Sequence, residues 1–252
     1  MEEDNGAMSV PPPQDLARRL REAGGEELLA LLDRHAPELD PAAAQQALRN
    51  PFVGREAIEI VAAQGRLLPS YEIKRLIALH PRTPEPLALR FVPSLFWRDL
   101  LELGLDTRVR PTVRRAADRR LVARLPALAV GEKASLARRA SARVLGQLRT
   151  DPSTRVVGAL LENPRLTEGV LLPLVSSEDA RPDVLEVVAR HRRWGARYEV
   201  RLCLCLNPST RVATALAILP YLRKSDLRGV ARRPRIAPAV RRRVEVLLGE
   251  AR

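Results

Sequence analysis

The chain has 252 residues, enough to bury a sizeable core as one elongated domain or two small ones, with 46% hydrophobic but only 3% aromatic residues. Its formal net charge is +13, and no run approaches the eighteen or so uncharged apolar residues that a membrane-spanning helix needs. The N-terminus, MEEDNGAMSVPPPQ, is acidic and proline-rich where a signal peptide is basic and apolar, so a cytoplasmic location and no membrane partner are the expectation.

An interior poor in rings must be built from Leu, Val, Ala and Ile, which is typical of packed helices. Residues 1–14, with three consecutive prolines and little to bury, read as a disordered tail. A helix then starts at Asp15 (DLARRLREAG) and ends at Gly24-Gly25; GEELLALLDRHA forms its partner. Residues 15–40 make an N-terminal helical cap. PAAAQQAL follows, capped by Asp40.

From residue 41 onward the chain is punctuated by polar residues before prolines: Asn50-Pro51, His80-Pro81, Asp151-Pro152, Asn163-Pro164 and Asn207-Pro208. Each precedes an aliphatic helical pattern, so each reads as a helix start, with the Asn or Asp capping the first turn and proline where no N–H is needed. Val212, Leu216 and Leu219 fall on one helix face, as do Val156 and Leu160. The last helix, 238–250, starts at Pro238 with Val240 and Val244 inward and Arg241, Arg242 and Arg243 outward.

Two internal matches carry the architecture. NPSTRVATALAILPYL (207–222) repeats nine of the sixteen letters of DPSTRVVGALLENPRL (151–166). A gapless shift of 127 residues lays Leu79–Leu121 on Leu206–Leu248 with fifteen of 43 positions identical, including Pro81 with Pro208, Pro93 with Pro220, Asp99 with Asp226 and Pro111 with Pro238. Recurring helix punctuation over such an interval means a multi-helix unit used twice. A shift of 127 is close to three periods of about 42.

In period and punctuation, residues 40–250 resemble the HEAT-like and armadillo-like repeat families, including the leucine-rich-repeat variant type built from short helices. The resemblance implies an all-α fold: a right-handed α-solenoid of short antiparallel helices over 41–252, a surface for holding other macromolecules, and no catalytic pocket.

Motif by motif, the chemistry is sparse. Glycine-rich phosphate loops, nucleophile elbows and paired zinc-binding histidines are absent from the sequence, so no cofactor, metal or small-molecule substrate is inferred. Cys203 and Cys205 are too close for an unstrained disulfide and read as buried thiols. Gly131-Glu132-Lys133 reads as a loop and helix start rather than a phosphate cradle. Trp97 and Asp99 raise the possibility of a HEAT-like base-excision enzyme, but two residues along a helix point apart and the aspartate recurs as Asp226.

The basic residues are the remaining candidates. Residues 1–60 carry a net −6, which leaves +19 on the rest, and 40 of the 43 basic residues are arginine, a bias that a GC-rich genome also produces. Arg114, Arg115, Arg192, Arg193, Trp194, Arg241, Arg242 and Arg243 are the candidate partner-binding residues, attracting acidic protein surfaces or phosphates. A non-enzymatic scaffold for a protein partner is the favoured reading, with a duplex nucleic-acid binder as the alternative. Eight aromatic residues leave little for stacking single-stranded bases.

Overall fold

A computed structural model of the chain describes residues 13–249. The expected disordered tail therefore lies outside the described residues, except that Pro13 and Gln14 already belong to the first helix. Among the described residues there are seventeen α-helices, five short 3-10 turns and no strand. They form two compact units, one ending at Arg120 and the other beginning at Leu121.

The first unit holds α1 (Pro13–Glu22), α2 (Gly25–His35), α3 (Pro41–Arg49), α4 (Arg55–Ala63), α5 (Tyr71–Leu79), α6 (Glu85–Phe91), α7 (Trp97–Leu105) and most of α8 (Pro111–Arg124). Helix α1 packs on α3, α3 on α5, α5 on α7, and α2 on α4. Residues 15–40 thus pack in the same manner as the later helices of this unit.

The second unit holds α9 (Val130–Ala137), α10 (Ala142–Leu148), α11 (Thr154–Leu161), α12 (Glu168–Val175), α13 (Pro182–Arg190), α14 (Tyr198–Leu206), α15 (Val212–Ile218), α16 (Lys224–Ala231) and α17 (Pro238–Leu248). Here α9 packs on α11 and α11 on α13, while α10, α12, α14 and α16 follow one another in a second row. Within each unit a helix therefore lies against the next but one. Its apolar stripe meets aliphatic neighbours on both sides.

The 127-residue offset extends far beyond the matching letters. Helices α4 and α13, α5 and α14, and α6 and α15 start and end at equivalent positions, as do the 3-10 turns Val92–Ser94 and Leu219–Tyr221. Helices α1, α2, α3 and α7 correspond to α10, α11, α12 and α16 within about two residues at each end, and α8 and α17 share their start. The counterpart of α9 falls on residues outside those described. Buried positions correspond too: Ala44 with Leu171, Ala57 with Val184, Ile58 with Leu185 and Val61 with Val188.

Local chemistry explains most boundaries. Asp40 accepts a hydrogen bond from the Ala43 N–H at 2.7 Å, capping α3 as expected. Prolines open α3, α8, α13 and α17, where a missing N–H costs nothing. Gly249, at φ 77°, closes α17 in the left-handed conformation that glycine adopts without strain.

The residues before proline act differently from the expectation. Asn50, Asp151, Asn163 and Asn207 do not cap the helices after them; each sits just past the preceding helix and accepts the N–H two residues on, at Phe52, Ser153, Arg165 and Ser209 respectively, in an Asx turn. The asparagine amides face backwards. Asn50 Nδ2 donates to the carbonyls of Leu20 (2.9 Å) and Ala23 (2.9 Å), Asn163 to Ala137 (2.7 Å) and Ala140 (3.1 Å), and Asn207 to Val175 (2.7 Å) and Ser177 (2.8 Å). Those carbonyls lie at the ends of helices 23 to 32 residues upstream, where the backbone has no intrahelical donor. Proline, next in sequence, fixes the turn.

Tight turns closed by a backbone bond from the third residue on follow helix ends at equivalent positions of the two units, 50, 80 and 106 in the first and 177, 207 and 233 in the second, and a further one lies at Asn163. These equivalent turns are 30 and 26 residues apart in both units, one helical pair each.

Because these amides are buried, Asn163→Ala should strip the Ala137 and Ala140 carbonyls of their side-chain donor and Asn207→Ala that of Val175, the Ser177 carbonyl keeping the Ala180 N–H, and each should lower stability by about 1–3 kcal/mol. Urea unfolding followed by circular dichroism measures the loss. Exposed Arg242→Ala in the same assay should change it by less than about 0.5 kcal/mol.

Candidate interaction surface

The nominated residues fall in three places. Arg114 and Arg115 lie on α8; Arg115 is exposed, whereas Arg114 is half-buried, with its Nε buried and unbonded. Arg241, Arg242 and Arg243 occupy the equivalent stretch of α17 and are all exposed. Arg241 donates to the carbonyl of Arg233 at 3.2 Å, which holds α17 to the preceding turn. Arg192 and Arg193 are exposed in the turn after α13.

Trp194 lies beneath that surface. It is 1% exposed, and its indole Nε1 donates to the carbonyl of Leu161 at 2.9 Å, at the end of α11. Arg193 stacks over the buried ring at 4.6 Å, so the tryptophan's geometry is that of packing beneath an arginine stem. The next residue, Gly195, lies so near the Ala189 carbonyl that an added Cβ would overlap it at 2.1 Å. At the position equivalent to Arg193, Arg66 donates to the carbonyls of Ala36 and Leu39. Both units thus use a side chain here to satisfy an earlier helix end.

Asp99, weighed as a catalytic carboxylate, is occupied on both oxygens. It accepts the Tyr71 hydroxyl on one and Arg75 Nε at 2.7 Å on the other. The Tyr71 hydroxyl in turn accepts the Phe96 N–H at 2.9 Å, one residue before α7. The second unit repeats the joint: Tyr198 donates to Asp226 and accepts the Arg223 N–H at 3.1 Å. Trp97 stands half-buried beside Arg98, whose guanidinium is 5.3 Å from its ring.

Burial, and after it the bond to Asp99, push the Tyr71 hydroxyl up from 10.0 to about 12. Tyr198 is shifted in the same direction for the same reasons. Among the described residues no group of three or more His, Cys, Asp or Glu side chains converges as metal ligands would. Lys133, in the first turn of α9, pairs with Asp151 in the turn after α10 at 3.1 Å, and Glu132 accepts the Ala129 N–H. Cys205 is buried, which raises its thiol to about 12 and keeps it protonated, whereas Cys203 is only half-buried.

Each unit carries an open groove beside the last two of these turns, at 80 and 106 in the first unit and at 207 and 233 in the second, and no motif along the chain signals it. In the first unit it measures about 320 Å³, with a floor of Leu76, Leu79 and Pro81 and with His80, Asp106 and Arg108 at the rim. In the second it measures about 280 Å³, walled by Leu206, Pro208, Arg233, Arg235, Ile236 and Glu178. Pro81 and Pro208, Leu79 and Leu206, and Arg108 and Arg235 are equivalent pairs. Burial first, then Arg82 and Arg108, lowers the His80 imidazole, so the first groove gains little positive charge from it.

The raised tyrosine pKa values fix a pH dependence. A neutral phenol is favoured in the folded state, so this contribution to stability is complete below pH 10 and is lost as pH rises from 10 towards about 12. Unfolding midpoints taken on either side of that window should fall for the natural chain and fall less for Tyr71→Phe. An equal fall in both would contradict the joint.

No protein-family model matches the chain, and no curated protein or solved structure matches it.

Proposed function

We propose that the chain is a non-enzymatic α-solenoid scaffold, right-handed and built from stacked helical pairs, that holds an acidic protein partner against an arginine-rich face. Packing of each helix on the next but one, twice over at a 127-residue offset, supports the solenoid reading. The observation that carries the binding reading is on α17 and the turn before it. Arg242, Arg243, Arg232 and Arg233 are exposed there, and none has a carboxylate within ion-pair distance among the described residues. Arginines left unpaired on a surface keep their donors for a bidentate partner.

Committed carboxylates support the absence of catalysis. Asp99 and Asp226 serve as helix joints, and Asp106 and Asp183 are each paired with an arginine two residues away. Duplex nucleic acid is the second reading, favoured by the basic surplus of the body and needing no base stacking.

The triple substitution of Arg241, Arg242 and Arg243 by Ala separates these outcomes. At about 50 mM salt the natural chain should bind labelled poly-glutamate more tightly than a short random duplex, and the triple variant should lose most of that affinity with unchanged helicity. Preference for the duplex would move the assignment to nucleic acid. No binding of either would remove the reading.

A further inference from the structure

The two units share a backbone plan but not a charge, and the difference is concentrated in one place. LELGLDTR (101–108) in the first unit corresponds to RGVARRPR (228–235) in the second. The first stretch has two acids, Glu102 and Asp106, and one arginine, Arg108; the second has four arginines, Arg228, Arg232, Arg233 and Arg235, and no acid. Closely matched helix ends and turn geometry hold both stretches in the same local setting beside the groove.

The first unit shows what that setting does with a carboxylate. Asp106 accepts the Arg108 backbone N–H at 2.9 Å and takes Arg108 Nε and Nη2 at 3.0 and 2.8 Å in a fork. Arg75 meets Glu102 at 3.6 Å on the same groove. The charges at that rim are therefore answered from within the chain. Asp106 is held below the usual carboxylate range chiefly by its bond to Arg108.

In the second unit Arg233 stands where Asp106 stood. Arg235, the counterpart of Arg108, has lost its intrachain fork and reaches only Glu178, at 2.8 Å through Nη1, in a pair exposed on both sides. Such a pair contributes little and exchanges readily with a better-placed carboxylate. Two arginines, Arg233 and Arg235, thus line this groove with one acid, Glu178. The groove between them is floored by Leu206, Pro208 and Ile236, and among the described residues no aromatic ring lines it.

We infer that the groove between the Asn207 and Arg233 turns of the second unit is a docking slot for an acidic peptide segment of the protein partner, an incoming carboxylate taking the place that Asp106 fills in the first unit. This rests on the binding reading above and localises it. A slot of about 280 Å³ with an aliphatic floor admits one or two side chains at a time, which suits an extended peptide and not a duplex. Duplication supplies the internal comparison: one groove answers its arginine with a forked carboxylate two residues away, the other only with Glu178 in a solvent-exposed pair.

Arg233→Asp tests this by writing the first unit's residue into the second, in a turn whose counterpart already carries it, so that folding is preserved. Fluorescence anisotropy with a labelled oligoglutamate peptide at about 50 mM salt should show roughly ten-fold weaker binding for Arg233→Asp, and Arg233→Gln should fall between it and the natural chain. The reciprocal Asp106→Arg should strengthen binding, with circular dichroism confirming intact helicity. Unchanged peptide affinity in Arg233→Asp, while the triple α17 variant still loses it, would overturn the slot and leave the scaffold reading standing. Absence of peptide binding by the natural chain would overturn both. A loss of duplex binding alone in Arg233→Asp would assign the arginines to a phosphate backbone and also overturn the slot.

Discussion

Everything in each unit depends on ending short helices without leaving their last carbonyls bare. A helix of seven to fourteen residues has a large part of its length in its ends, and each end presents groups that no hydrogen bond within the helix can satisfy. Burying such ends requires donors brought from elsewhere. Asn50, Asn163 and Asn207 supply them, each with one amide that bridges two carbonyls while its own oxygen closes the local turn. Arg66 and Trp194 act similarly at other helix ends of their units. Polar side chains thus define which helix succeeds which, and the aliphatic stripes fill the space between them.

Much of this plan was legible in the letters. An all-helical chain, the helices opened by Pro41 and Pro238, the Asp40 cap and the inward Val240 and Val244 of α17 follow from patterns spanning a few residues, whereas the helices after Pro51, Pro81, Pro152, Pro164 and Pro208 start two to four residues beyond the proline. The role of the asparagines did not, since their carbonyl partners lie 23 to 32 residues upstream and no local pattern points so far back. Nor did the full extent of the duplication. Packing asks only for an aliphatic group at Ala44 and Leu171, or at Ile58 and Leu185, so fold equivalence outlasts identity there. Tyr71 and Tyr198, identical and equivalent, stand just outside the block where matching letters are dense.

The candidate surface was legible in part. Exposure of Arg115, Arg192, Arg193 and Arg241–Arg243 follows from their helix faces and turns, whereas the burial of Trp194 depends on a carbonyl 33 residues away. Nothing along the chain distinguishes Arg233 and Arg235, two arginines among forty. Their meaning lies in the contrast with Asp106, a residue that differs while its surroundings do not. Comparing two copies of one fold separates positions kept for architecture, such as Asp99 and Asp226, from positions released to diverge.

Short helices that lean on their next-but-one neighbours also shape how the chain comes together. None of them is long enough to persist alone in water, yet most of their partners are only about thirty residues distant, so loop closure stays inexpensive at every step. Contacts this local favour fast assembly, and they let the part of a polypeptide already emerged from a ribosome pack its helices before synthesis is finished.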